Sequence, residues 1–148
     1  SSDIDSIKEA AKFFNPSPVA SNDTIIIETT KGTIKLEYFP DIAIDHCSNF
    51  KKLANSGYYD MTTFHRVLEN FMIQGGDILS RDSNRKNDGQ GGPGWKVNAE
   101  FSDLKHKRGT LSIAKAKLLL NYKPRYNLEE GTKKYMEFFK SYKKETKP

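Results

Sequence analysis

The chain contains a single cysteine, Cys47, among its 148 residues. One cysteine cannot form an internal disulfide, so burial and hydrogen bonding have to hold the fold together. We expect Cys47 to be a buried packing thiol, because it lies on the apolar face of a predicted helix. His46 is the only nearby side chain that could carry a positive charge and favour the thiolate. A single cysteine, together with the lack of a signal-like apolar run, makes a reducing cytoplasm the expected location. A leader that had already been removed would leave the same sequence.

A long apolar run is also missing. No stretch near the N-terminus is long enough for the core of a signal peptide or for a membrane span. Apolar residues make up 36% of the chain, which suits a single domain with a modest core. The formal net charge of +5 is concentrated in the last part of the chain rather than on a folded face. We therefore expect neither a nucleic acid nor a membrane as partner.

Nucleophiles, paired carboxylates and clusters of metal ligands are absent from residues 64–77, the stretch around which the chain is organised. We therefore expect no metal and no other cofactor. Two short apolar runs are present instead, residues 64–68 and 71–74, followed by Gly75 and Gly76. This pattern predicts a β-hairpin.

The length of the hairpin loop decides which side chains share a face. A two-residue loop would place Arg66 opposite Ile73, whereas a three-residue loop at residues 68–70 places it opposite Met72. Only the longer loop gathers Arg66, Met72 and Gln74 on one face, so we predict that register.

Such a face suits a reaction without a covalent step. Rotation about a peptide bond costs ~18–20 kcal/mol, and a guanidinium aimed at a prolyl nitrogen gains a hydrogen bond only when the amide is twisted. Arg66 is the candidate for that donor, and Gln74 could fix the substrate backbone. Met72 and Phe71 could hold the proline ring, although Phe71 needs a bulge to reach this face. His65 alternates away from Arg66 and is expected to orient neighbouring groups.

Four motifs make the pattern more specific: Phe-His-Arg-Val at 64–67, Phe-Met-Ile-Gln-Gly-Gly-Asp at 71–77, Gly-Gln-Gly-Gly-Pro-Gly at 89–94 and Arg-Gly-Thr-Leu-Ser-Ile-Ala at 108–114. In order and spacing they resemble the cyclophilin family of peptidyl-prolyl cis-trans isomerases. The resemblance implies isomerisation of Xaa-Pro bonds, with proline-containing peptides and unfolded or client proteins as partners. It also implies two catalytic residues, Arg66 and Gln74, and four substrate-binding residues, namely His65, Phe71, Met72 and Ala114.

The resemblance further implies a mainly β fold, an antiparallel barrel with one capping helix. It covers residues 24–116, after which the family's next motif is absent, so we expect an incomplete barrel. Exposed barrel edges could then allow oligomers to form. Two other interpretations stay open, a non-catalytic module that binds proline peptides and an inactive chimeric fragment.

The remaining elements follow from periodicity and turn residues. Residues 1–23 are predicted to form a short amphipathic helix, either docked or frayed, and a linker. We predict a hairpin with strands at 24–29 and 33–38, and a helix that ends at Ser56 before Gly57. Short strands are predicted at 95–101 and 109–114.

The last segment, residues 117–148, is predicted to be a helical tail with an amphipathic helix. Asn127 can cap that helix at its N-terminus. The segment resembles the C-terminal tail of nucleotide-sugar epimerases and dehydratases. No tyrosine in the chain has a lysine four residues later, so the chemistry of those enzymes is not expected.

Overall fold

The structure is a computed structural model that describes residues 2–69, 71–103, 105 and 109–112. These residues belong to one compact unit, Ser1–Ser112. Ala114, the predicted C-terminal helix and the whole of segment 117–148 lie outside the described residues.

The described part contains two α-helices, four strands and two short 3-10 helices: α1 Ser2–Phe13, β1 Thr24–Thr29, β2 Gly32–Glu37, α2 Ile44–Asn55, β3 Arg66–Leu68, β4 Met72–Gln74, and the 3-10 helices Ile78–Arg81 and Arg85–Asn87.

Strands β1 and β2 form the first antiparallel hairpin, as predicted. Ile25 pairs with Leu36 and Ile27 pairs with Ile34, so these apolar side chains share one face of the hairpin. The turn between the strands ends at Gly32, whose φ of 130° favours glycine.

The described strands form two separate hairpins, β1 with β2 and β3 with β4, and do not close into a barrel among themselves. Antiparallel pairing is therefore observed, and the barrel stays a prediction. The strand predicted at 95–101 is wrong, because these residues have no regular structure. Of the strand predicted at 109–114, the structure describes residues 109–112, which form no strand. Between residues 95 and 101, the side chains of Trp95 and Glu100 bond to α2 instead of the backbone pairing with a neighbouring strand.

Helix α2 ends where the sequence predicts. The amide of Gly57 donates to the carbonyl of Ala54, and the amide of Tyr58 donates to that of Leu53. Gly57 has a φ of 75°, the left-handed conformation that commonly ends a helix. The chain then turns back so that Tyr58 and Leu53, both buried, join the same core.

Helix α1 docks on this core, which decides between the two predicted alternatives in favour of docking. Ala11 is fully buried in a cluster with Leu53, Tyr58 and Ile78. Aspartates in the first turn and a lysine in the last turn also favour the helix dipole. A helix this short is marginal alone in water, so its contacts with the core stabilise it.

The linker after α1 is held to α2 by one lysine. The Lys51 ammonium donates to the Ser17 hydroxyl at 3.1 Å, to the Pro18 carbonyl at 3.0 Å and to the Asp23 carboxylate at 2.7 Å. This ion pair is shielded from solvent on the lysine side. Residues 15–23 therefore have a fixed path although they form no helix or strand.

Cys47 is half-buried on α2. Burial raises the pKa of its thiol, and the nearby Glu100 carboxylate acts in the same direction, while a backbone hydrogen bond partly opposes them. The thiol is therefore less reactive than an exposed cysteine, which agrees with the predicted packing role. Neither α-helix in the described part of the chain is long and apolar enough to cross a membrane.

Candidate functional site

The second hairpin has a register in which Arg66 pairs two residues later along β4 than predicted. Arg66 pairs with Gln74, and Leu68 pairs with Met72. The predicted pairing of Arg66 with Met72 is therefore wrong. The reason lies in the turn, where the amide of Phe71 donates to the carbonyl of Leu68 at 3.1 Å. This hydrogen bond takes Phe71 out of the strand and moves the three-residue loop one position later.

The corrected register still brings the predicted side chains to one face. Directly paired residues in an antiparallel ladder point to the same side, and so do residues two apart on one strand. Arg66 and Gln74 are directly opposite each other, and Met72 lies diagonally across from Arg66. The Arg66 side chain is exposed, whereas Met72 and Gln74 are half-buried. The structure thus combines a solvent-accessible cation with an amide and a thioether.

Phe71 occupies the turn at the end of this face. About 47% of its surface is exposed. Because it lies outside both strands, the alternation that would point it away from Arg66 does not apply to it. The structure thus has Phe71 in a turn rather than in a bulged strand.

His65 immediately precedes β3 and lies against the glycine-rich loop, residues 89–94. A Cβ atom placed on Gly89 would be 3.6 Å from Nε2 of His65, and Gly89 has a φ of 83°. The ring nitrogen Nδ1 of His65 is buried and has no hydrogen-bond partner among the described residues. His65 is thus next to Arg66 in the chain and beside the loop in space. Ala114, the remaining predicted site residue, lies outside the described residues.

Asp77 is a buried residue at this site that the sequence reasoning did not single out. Its carboxylate accepts a hydrogen bond from the amide of Leu79 at 2.9 Å, and its carbonyl accepts one from the Ser80 hydroxyl at 2.7 Å. Aspartate is a preferred N-cap residue, so this local role could have been inferred. Asp77 anchors the chain three residues after Gln74.

Gly91 packs directly on the Asp77 carboxylate. A Cβ atom at Gly91 would overlap Oδ1 of Asp77 and would also crowd Leu79, at 2.9 Å from its Cγ. The glycine-rich loop therefore comes close to the end of β4 because position 91 has no side chain. No local sequence signal links positions 77 and 91.

The motifs and this geometry agree with a comparison against protein families. Residues 24–135 match the family described as cyclophilin type peptidyl-prolyl cis-trans isomerase/CLD. The match covers well over half of the chain, and the chain belongs to this family.

Curated relatives extend this result. The chain is 46% identical over 91 residues to a peptidyl-prolyl cis-trans isomerase of Synechococcus elongatus, an alignment that covers 62% of this chain and 58% of that protein. It is 43% identical over 97 residues to the peptidyl-prolyl cis-trans isomerase-like 1 protein of Neurospora crassa, covering 62% and 55%. For a Helicobacter pylori peptidyl-prolyl cis-trans isomerase the identity is 41% over 92 residues, covering 61% and 52%.

The chain thus spans little more than half the length of these three relatives. No solved structure matches it. The family match continues to Tyr135, past Ala116, where the resemblance was predicted to stop. The family pattern therefore extends into segment 117–148. The resemblance of that segment to epimerase tails is not addressed by these comparisons and stays a prediction.

Proposed function

We propose that the chain is a peptidyl-prolyl cis-trans isomerase that acts, without a cofactor, on Xaa-Pro bonds in peptides and in unfolded or client proteins. Membership of the cyclophilin family supports this activity. The structural observation that carries it is the direct pairing of Arg66 with Gln74, with Met72 diagonally across on the same face. This arrangement can bind a proline peptide and favour its twisted state.

Arg66 supplies the donor for the transition state. In a planar amide the nitrogen lone pair is delocalised, and twisting the bond localises it on the prolyl nitrogen. A guanidinium N–H aimed at this nitrogen then gains a hydrogen bond that the ground state does not offer, which lowers the barrier. Because Arg66 is exposed in the unliganded chain, bound substrate would cover it and strengthen this electrostatic contact.

Gln74 and the apolar side chains hold the substrate. The Gln74 amide can accept from a substrate N–H and donate to a carbonyl, so it fixes one side of the rotating bond. Met72 and Phe71 offer an apolar surface for the pyrrolidine ring. With the ring held, rotation moves the residue that precedes proline, while Arg66 stays near the nitrogen.

We further propose the barrel of the family for the strands of this chain. Val67 and Ile73 pair on the face of the second hairpin opposite Arg66, and both are exposed. Additional strands of a closed antiparallel barrel would bury such a face. A second copy that pairs along an exposed strand edge would also cover it, which makes an oligomer part of this proposal. The cytoplasmic location and the amphipathic helix within 117–148 stay predictions.

The test is the rate of cis-trans exchange in a proline-containing peptide, measured by NMR with and without the protein. We expect acceleration by the wild type and its loss in Arg66→Ala. Lys35→Ala is the matched control, since it removes an exposed cation from the first hairpin and should leave the rate unchanged.

Other outcomes would point to the two alternative interpretations. Peptide binding without acceleration, surviving in Arg66→Ala, would favour a non-catalytic binding module. The absence of both peptide binding and cooperative unfolding would favour an inactive fragment.

A further inference from the structure

The glycine-rich loop continues into a segment that is tied to α2 at two points. The first is Trp95, directly after the loop. Its indole N–H donates to the Asn49 carboxamide oxygen at 2.8 Å. The Lys52 ammonium lies 5.4 Å from the centre of the Trp95 ring, and the ring packs against the core cluster.

The second point is Glu100, whose carboxylate binds the first turn of α2. One oxygen accepts from the amide of Asp45 at 3.0 Å, and the other accepts from the amide of His46 at 2.9 Å. The His46 ring nitrogen Nδ1 is 2.6 Å from the second oxygen, and both side chains are 18% exposed. Since a carboxylate can only accept, Nδ1 must carry the proton of this hydrogen bond.

Glu100 thereby replaces a local cap. The residue at the N-cap position of α2 is Ala43, which offers no side-chain hydrogen bond. The first amides of a helix lack partners within it, and a negative charge is favourable at this end. The carboxylate of Glu100 meets both needs from a segment more than fifty residues later in the chain.

The other side of the loop lies against the candidate site. Gly89 lies beside the ring of His65, which precedes Arg66, and Gly91 packs on the carboxylate of Asp77. The loop therefore lies against residues that flank the second hairpin, His65 before β3 and Asp77 after β4. The segment after the loop is anchored on α2. Trp95 is adjacent to the loop in the chain, and five residues, 95–99, separate Glu100 from its last glycine.

We propose that Glu100 is a positioning residue for the isomerisation: by capping α2 it holds the glycine-rich loop against His65 and Asp77, and so fixes the hairpin that carries Arg66 and Gln74. This role rests on the proposed function. The capping of α2 and the contacts of the loop can nevertheless be measured independently of any catalytic activity.

The Glu100 anchor depends on a carboxylate that takes up a proton in acid, whereas the Trp95 anchor contains no carboxylate. Burial acts to raise the pKa of Glu100, but the hydrogen bonds from Asp45 and His46 outweigh it and hold the pKa below its ordinary value of 4.5. The titratable groups that face this carboxylate from α2 are the His46 ring and the Cys47 thiol. The anchor is therefore intact above pH 4.5 and is lost as the pH falls through the lowered pKa.

The experiment compares Glu100→Gln with Trp95→Phe. Glutamine keeps the size of the side chain and one acceptor oxygen but removes the charge. Phenylalanine removes the indole donor and one ring of the side chain but changes no charge. We expect kcat/KM to fall about tenfold in Glu100→Gln, because small displacements of a catalytic group are costly. We expect kcat/KM of the wild type to decrease as the pH falls below 4.5. The decrease should be smaller in Glu100→Gln than in the wild type, and Trp95→Phe should keep it in full.

Amide chemical shifts of Gly89 and Gly91 provide the second measurement. They should move in Glu100→Gln at neutral pH and in the wild type at acid pH. Unmoved shifts, or a decrease of kcat/KM in acid that is as large in Glu100→Gln as in the wild type, would overturn the positioning role. A wild type that does not accelerate exchange would refute the proposed function alone, and the two amide shifts would then still decide whether Glu100 positions the loop.

Discussion

The ammonium of Lys52 donates to the backbone carbonyl of Lys12 at 2.8 Å, which joins α2 to the last turn of α1. The carbonyl groups at the end of a helix lack partners within the helix and attract cations. The same ammonium lies over the Trp95 ring. Helix α1 is therefore built into the domain, although it precedes the family match, which begins at Thr24.

Substitution of the buried face of α1 should destabilise the whole domain. Ala11 is fully buried, whereas its neighbour Ala10 is exposed. We expect Ala11→Asp to lower the free energy of unfolding by about 3 kcal/mol or more, because it buries an unpaired carboxylate. Ala10→Asp should change it by less than about 1 kcal/mol. Urea unfolding measures both, and equal effects would show that α1 does not stabilise the core.

Two adjacent glycines should respond differently to the same substitution. In Gly91→Ala the added methyl group overlaps the Asp77 carboxylate, whereas nothing lies within 4 Å of a methyl group at Gly92. We expect Gly91→Ala to destabilise by about 1–3 kcal/mol through overpacking. Gly92→Ala should be neutral or stabilise by about 0.5 kcal/mol. Thermal melting compares the two variants, and a neutral Gly91→Ala would contradict the close contact between the loop and Asp77.

The ion pair of Asp23 with Lys51 should contribute to acid sensitivity. The hydrogen bond from Lys51, together with one from the amide of Ala20, holds the pKa of Asp23 below its ordinary value of 3.8. A lowered pKa means that the stabilisation is present above pH 3.8 and is lost as the pH falls through the folded-state value. Asp23→Asn should therefore reduce the loss of stability on acidification.

Asp41→Asn is the control for this prediction, because it removes an exposed carboxylate from the loop before α2. Unfolding curves recorded across the acid range would decide. The same acid dependence in Asp23→Asn as in the wild type would show that the pair does not contribute.

Replacement of Arg66 by lysine should separate the role of charge from that of geometry. Lysine keeps the positive charge but loses the planar guanidinium with its fixed N–H directions. We expect Arg66→Lys to lower kcat by about tenfold or more with little change in KM, because the lost contact belongs to the twisted state. Arg85→Lys, which changes an exposed arginine bonded to Thr63, should retain activity. An unchanged kcat in Arg66→Lys would mean that directional donation is not needed.

Local sequence patterns predicted the helices and the first hairpin, in which apolar residues recur with the period of the element. Apolar spacing predicted an amphipathic helix within residues 1–23, where α1 is observed. The turn residue after α2 predicted the end of that helix to within one residue. The alternation of Ile25, Ile27 and their partners gave the first hairpin. In these elements the apolar pattern and the residues at the ends favour the same local structure, so the chain has one favourable conformation.

Such local patterns could not predict contacts between residues that are far apart in the chain. Residues 95–101 have the composition of a strand, but Trp95 and Glu100 bond to a helix some fifty residues earlier. The contact with Asp77 leaves no room for a side chain at position 91. The sequence shows Gly91 only as one glycine of a glycine-rich motif. In the second hairpin, a single hydrogen bond between Phe71 and Leu68 sets the register. The face was predicted correctly because the error moved the pairing by two positions and so kept the side-chain parity.

The lone thiol gives this molecule a built-in chemical reporter. Cys47 is half-buried on α2, next to the turn that Glu100 caps, and the chain has no other cysteine to compete for a reagent. A thiol-specific dye should react more slowly than with a fully exposed cysteine, and faster whenever this end of the helix opens. Labelling kinetics could then follow local opening of α2 in a protein that carries no engineered cysteine.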